Sequence, residues 1–170
     1  TSAGEIGHIV INVDGKNCDC GRRGCLYDYA SGEALLKTMR ESGNIDERQY
    51  ESFGVFFENF VKEYNNGSEL HGSIMEKTGY YMAVGIANIF NLFSPNILLI
   101  GSSLDGVADM YVKNIKACVD RLGGMEKNIG PRIFAAHYGP NAIAVGAAML
   151  VLQDFLETPR TYLKKLQLNR

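Results

Sequence analysis

Hydrophobic positions along the chain switch between two rhythms. HIVINV (8–13) alternates and is rich in Val and Ile, which predicts a strand, and Asp14-Gly15 is a turn signal after it. Ser31 is a candidate cap for a helix over 32–41, broken by Ser42-Gly43-Asn44. Phe53, Phe56, Phe57, Phe60 and Val61 recur at spacings of three and four, predicting a helix over 46–65 that Asn65-Asn66-Gly67 ends. Ser68 opens a long apolar helix, 69–92. It must stop at Ser94-Pro95-Asn96, because the residue before proline is driven out of the α region. ILLI (97–100) reads as a short buried strand and Gly101-Ser102-Ser103 as the turn after it. A helix over 107–122 follows, then a loop bounded by Gly123-Gly124 and Gly130-Pro131. RIFAAHY (132–138) predicts a second such strand, and Gly139-Pro140-Asn141 leads into a helix over 141–156.

Strands separated by long helices imply an α/β domain, with parallel pairing between 97–100 and 132–138. The division expected is one domain over 1–157 and a basic, amphipathic tail or extra helix over 158–170. On the long helix, Tyr80, Tyr81, Val84, Ile86, Ile89 and Phe90 are expected to be mostly core. The four phenylalanines at 53–60 either pack internally or leave part of their surface for an interface between copies. TSAGE at the start reads as the middle of a glycine-rich loop, so the chain is expected to be one lobe of something larger.

Composition narrows the function. The 170 residues are 46% hydrophobic and 21% charged, ordinary for a globular protein, and the net charge of −2 advertises no nucleic-acid surface. Nothing in the sequence reads as a signal peptide or a membrane span. Four cysteines are too few for a disulfide scaffold, and in a reducing cytoplasm their clustering reads as metal binding.

That clustering is the sharpest feature of the chain. NCDCGRRGC (17–25) holds Cys18, Cys20 and Cys25, while Cys118 stands alone in apolar surroundings. Cys18 and Cys20 flank one residue, so both sulfurs can face one point. Gly21 and Gly24 allow the positive φ that brings Cys25 back to them. Three thiolates leave one corner of a tetrahedron empty, and His8, at the start of the preceding strand, is the nearest imidazole. A structural zinc site of His8, Cys18, Cys20 and Cys25 is therefore expected, closed to water by its four protein donors. The alternative is a loop of free thiols. Arg22 and Arg23 are either a solvated loop face or a phosphate clamp.

GEIGH (4–8) followed by CDCGRRGCLYDYASG (18–32) resembles the zinc-binding signature of the ROK family of NagC/XylR-type transcriptional regulators and sugar kinases. NLFSPNILLIGSSL (91–104) and GPNAIAVGAAML (139–150) resemble later segments of the same family, and the likeness covers roughly 3–155. It implies the carboxy-terminal lobe of an actin-like ATPase (ribonuclease H-like) fold, a mixed sheet with flanking helices and a zinc-stapled loop. It also implies that Glu5 and His8 contact sugar hydroxyls and that Cys18, Cys20 and Cys25 complete the zinc site. Two positions depart from the family pattern. Tyr27 stands where a sugar-binding glutamate is usual. The nucleotide-side turn Gly101-Ser102-Ser103 replaces a glycine-rich one, and its side chains obstruct close backbone approach. The resemblance thus points to a cytoplasmic sugar-sensing lobe of a regulator, forming a homodimer or higher homo-oligomer and meeting DNA only through an upstream domain. The alternative is the corresponding lobe of a sugar kinase, with ATP and Mg2+ as partners. This stretch alone has no Walker-type loop and is not expected to phosphorylate anything.

Overall fold

The computed structural model describes residues 3–43, 52–101, 107–123, 129–136 and 141–159. Its elements are α1 (Tyr27–Ala30), α2 (Gly32–Glu41), α3 (Phe53–Asn65), α4 (Glu69–Phe93), β1 (Leu98–Ile100), α5 (Val107–Leu122), β2 (Ile133–Ala135) and α6 (Ala142–Glu157). Short 3-10 turns at Ile6–His8 and Gly130–Arg132 complete the list.

The cap expected at Ser31 is present, α3 has an unpredicted one at Ser52, and the Ser68 side chain does not cap α4. Ser31 accepts from the Ala34 N–H at 3.0 Å and starts α2. Ser52 does the same for α3 through Val55. Each supplies an oxygen to a helix-end N–H that has no partner within the helix. The start predicted for α3, at 46–51, lies outside the described residues. α4 ends at Ser94 as expected. It does so by a left-handed turn (φ 42) that lets the Ser94 N–H reach Phe90 O, not by an extended residue before Pro95.

α4 is the spine. α1, α2, α3 and α5 all pack on it, and α5 also covers β2. Phe56, Phe60, Met75, Ile86, Phe90, Ile115 and Ile133 are among the side chains buried in the shared core. Arg132 lies with its guanidinium 4.5 Å from the Phe90 ring and donates to Pro95 O, tying the end of α4 to the start of β2. Phe56, Phe57 and Phe60 are internal, while Phe53 is half-exposed. On α4, Ile86 and Phe90 are core, but Tyr80 lies on the solvent side and Tyr81, Val84 and Ile89 are half-buried. A helix of 25 residues contacted on several sides has no single apolar stripe, so its periodicity marks its faces poorly.

β1 and β2 pair in parallel, Leu98 with Ile133, Leu99 with Phe134 and Ile100 with Ala135. Among the described residues this is the whole sheet, so the mixed sheet expected from the sequence reduces to one parallel pair. Residues 137–138 of the second predicted strand lie outside the described residues. One face of the pair meets the core; the other exposes Leu99 (65%) and Phe134 (44%). α6 likewise presents Met149, Leu150, Val151 and Leu156 to solvent.

The strand predicted over 8–13 does not form. His8 closes a 3-10 turn, and only Val10 makes a bridge, antiparallel to Cys25. The reason is the partner. Residues 9–12 bond to the cysteine loop and not to an extended strand: Leu26 N–H donates to Ile9 O, and Ile11 and Asn12 N–H both donate to Gly24 O. The loop curls away after that, and Val13 is 78% exposed. Gly24 makes the contact possible. Its φ is +71, and a Cβ there would lie 1.6 Å from Asn12 O.

Two stability outcomes follow. Phe90→Ala empties a fully buried site and is expected to cost about 3–5 kcal/mol in denaturant unfolding. Gly24→Ala meets backbone and a disfavoured φ together, and is expected to cost more than about 1 kcal/mol in the same measurement.

Candidate metal centre and ligand site

The hydrogen bonds to Gly24 lay residues 8–12 against the cysteine loop and so bring His8 to the thiols. His8 Nδ1 lies 3.6 Å from Cys18 Sγ, and Cys20 Sγ lies 3.5 Å from Cys25 Sγ. All four donor atoms fall within 4.8 Å of one another. Cys18 and Cys25 are buried, His8 is half-buried and Cys20 is exposed. None of the cysteines is in a disulfide. Ordinary zinc–sulfur and zinc–nitrogen bond lengths give a tetrahedron with edges of about 3.6–3.8 Å. Two edges of the cluster already have close to that length, and the donor set is the soft, borderline one that zinc selects. The residues fit a tetrahedral divalent metal.

Without a metal the three thiols hold their protons unequally. The Arg22 backbone N–H, then its guanidinium, bring Cys20 down to about 6. The Cys20 backbone N–H pulls Cys18 down, but burial, Asp28 and the neighbouring thiols together outweigh it and push Cys18 up to about 12. Burial, then Cys20, push Cys25 up as well. Arg23 donates from Nε to Gly15 O at 3.3 Å, so its side chain bonds within the loop itself. Tyr29 fastens the loop from behind: its hydroxyl accepts from Lys16 N–H at 2.9 Å and its ring meets that of Tyr81 on α4 at 4.5 Å.

Glu5 is exposed, with its backbone O accepting from the His8 N–H at 3.0 Å. It shares the 3-10 turn with the imidazole. Tyr27 opens α1 with its ring 6.0 Å from that of His8, and its hydroxyl donates to Glu33 Oε2 at 2.5 Å. That bond, then burial, push the Tyr27 phenol up to about 12. Glu33 had no signal in the sequence. The pair spans six positions and a break between two helices at Ser31, which helical spacing does not relate. Asp28 Oδ2 is buried with no hydrogen-bond partner among the described residues. It belongs to a cavity of about 190 Å³ beside the loop, which Lys16, Tyr27, Glu33 and Lys37 also line.

The turn expected on the nucleotide side begins elsewhere. Gly101 lines a separate apolar cavity of about 300 Å³ with Phe53, Phe57, Met82 and Tyr111. Ser102 and Ser103 lie outside the described residues. Burial pushes the Tyr111 phenol upward, and its hydroxyl has no partner among the described residues. His71 is bound to Ser68 at 2.7 Å and set edge-on to Phe60, away from the cluster.

Comparison with known proteins agrees with this frame. The profile of the ROK family matches residues 1–154. A putative xylose repressor of Caldicellulosiruptor sp. is 28% identical over 92% of this chain and 41% of its own length. The xylose repressor of Bacillus subtilis is 26% identical over 91% of this chain and 38% of its own. A glucokinase of Halalkalibacterium halodurans is 30% identical over 89% of this chain and 48% of its own. The crystal structure of a ROK family glucokinase from Streptomyces griseus, in complex with glucose and AMPPNP, superposes with a TM-score of 0.70. It shares 27% identity, over 87% of this chain and 51% of that one. The chain thus spans about half or less of these relatives. With a family profile over almost its whole length, repressors and glucokinases on both sides, and a matching fold, the chain belongs to the ROK family.

Proposed function

We propose that this chain is the carboxy-terminal, sugar-sensing lobe of a ROK-type transcriptional regulator, stapled by a structural zinc. The observation that carries the reading is the convergence of His8, Cys18, Cys20 and Cys25 next to Glu5 and Tyr27. A zinc ion held there supplies fixed geometry and no open coordination position, so it is a staple and not a reagent. His8 gives Nδ1 to the metal, which leaves Nε2 to address a hydroxyl in a set orientation. Glu5, in the same turn, adds a carboxylate acceptor, and Tyr27 a phenol. Hydrogen-bonding sites of this kind reject ligands that lack a matching hydroxyl.

Xylose repressors among the relatives support the regulator reading, as do Tyr27 and the serines at 102 and 103 in the sequence after β1. In that reading the ligand biases the lobe's arrangement and, through a DNA-binding segment outside this chain, the affinity for an operator. We place the protein in the cytoplasm, as a homodimer or higher homo-oligomer. Among the described residues no helix is long and apolar enough to cross a membrane. The second reading is a sugar kinase. Its support is the glucokinase relative and the nucleotide-bound neighbour of similar fold. There this lobe would bind sugar and ATP–Mg2+, with the phosphoryl-transfer base supplied by the other lobe.

Metal analysis of the purified protein is expected to find about one zinc per chain. Cys20→Ser is expected to lose it, and a chelator is expected to lower the melting temperature of the native protein but not of the variant. Calorimetry on the protein at its natural length is expected to show binding of D-xylose or D-glucose, without turnover of ATP when both are present. Steady phosphorylation of the sugar would replace the regulator reading with the kinase.

A further inference from the structure

Tyr27 and Glu33 stand out among groups that the metal centre does not use. The Tyr27 ring is 39% exposed beside His8, and its hydroxyl donates to a Glu33 carboxylate oxygen at 2.5 Å. A phenol has a single proton. With that proton committed to Glu33, the phenol oxygen can only accept. A carboxylate can only accept too. It sits in the first turn of α2, right after the Ser31 cap, where helix-end N–H groups favour negative charge. Tyr27 is held in turn from below, since the Leu26 N–H bonds to Ile9 O and fixes the start of α1 against the loop.

Resting on the sugar reading above, we infer that Tyr27 and Glu33 form an acceptor-only pair that selects a ligand hydroxyl able to donate, with Glu33 as the positioning residue that sets the polarity of Tyr27. A lone tyrosine would tolerate either polarity, because its hydroxyl rotates. Glu33 removes that freedom. The pair does with two side chains what a single carboxylate at position 27 would do alone, and it places the accepting oxygen on a ring that also walls the site.

The test is calorimetry with D-xylose and D-glucose, followed by the mono-deoxy and mono-O-methyl derivatives of whichever binds. It is run on the native protein, Tyr27→Phe and Glu33→Ala at natural chain length, with zinc content measured throughout. One ring position is expected to stand out in the native protein, losing about 10- to 100-fold when its hydroxyl is removed or methylated. Tyr27→Phe should erase that position's penalty. Glu33→Ala should weaken the parent sugar about tenfold and narrow the O-methyl penalty at the same position, because the freed phenol proton can then donate to the ether oxygen. Zinc content should not change. Binding whose derivative pattern is the same in all three proteins overturns the pair and leaves the sugar reading standing. Absence of binding by the native protein to either sugar overturns both.

Discussion

One backbone contact underlies the site. Gly24 O takes the N–H groups of Ile11 and Asn12, while Gly24 N–H reaches Lys16 O at 2.7 Å. No side chain can stand at that position, because the Asn12 carbonyl occupies the space where a Cβ would be. The cysteine loop and the segment carrying His8 are therefore pressed together before any metal is considered. A metal ion bound there would gain from such a preformed arrangement, because less of the binding energy would be spent on ordering the donors. In the same arrangement Arg22 holds Cys20 as the most acidic thiol of the three.

What was legible in the sequence divides along physical lines. Caps and breakers act within a few residues, so Ser31 before α2 and Ser94-Pro95 after α4 could be read directly. The parallel pairing of β1 with β2 was legible because a short apolar run on either side of a long helix leaves few topologies. The cluster of His8 with three cysteines was legible because its donor types are rare and close in sequence. The strand over 8–13 was misread because alternation describes a side-chain pattern and says nothing of the partner. Here the partner is a curling loop, and one bridge is all it supports. Tyr80 was misread as core for a related reason: α4 has neighbours on several sides, and periodicity could not tell which of its faces lacks one. The link from Tyr27 to Glu33 was invisible because it depends on the angle between α1 and α2, which turns at a single residue.

The apolar surface left open has its own logic. Leu99 and Phe134 lie side by side on the outer face of the β1–β2 pair, and α6 exposes a run of aliphatic residues. Isolated exposed leucines are common; a paired sheet face and most of a helix together are not. A two-stranded sheet is marginal by itself and depends on what packs against it. In this chain α5 covers one face only. The described residues form a structure whose best-packed part is the α4–α5 centre and whose sheet end has the least support.

That unequal support bears on how a ligand could be felt at a distance. α1 begins beside the cysteine loop, with Tyr27 next to His8. One residue earlier, Leu26 is buried against α4 at Gly85, where a Cβ would lie 2.5 Å from Leu26 Cδ2. Two residues later, the Tyr29 ring packs at a tilt against Tyr81 of the same helix. Two contacts from a single helical turn thus connect the loop to α4. Close-packed interiors pass on displacement and do not absorb it. Any ligand that moves Tyr27 must either pull α1 away from its seat at Gly85 or carry α4 with it. The first would open a cavity beside Leu26, and the second would disturb the packing between α4 and α5. α4 ends at Phe93, and Phe90 in its last turn is buried in the core with Ile133 of β2 and lies under the Arg132 guanidinium. The cysteine loop and the start of β2 are therefore both fastened to one helix.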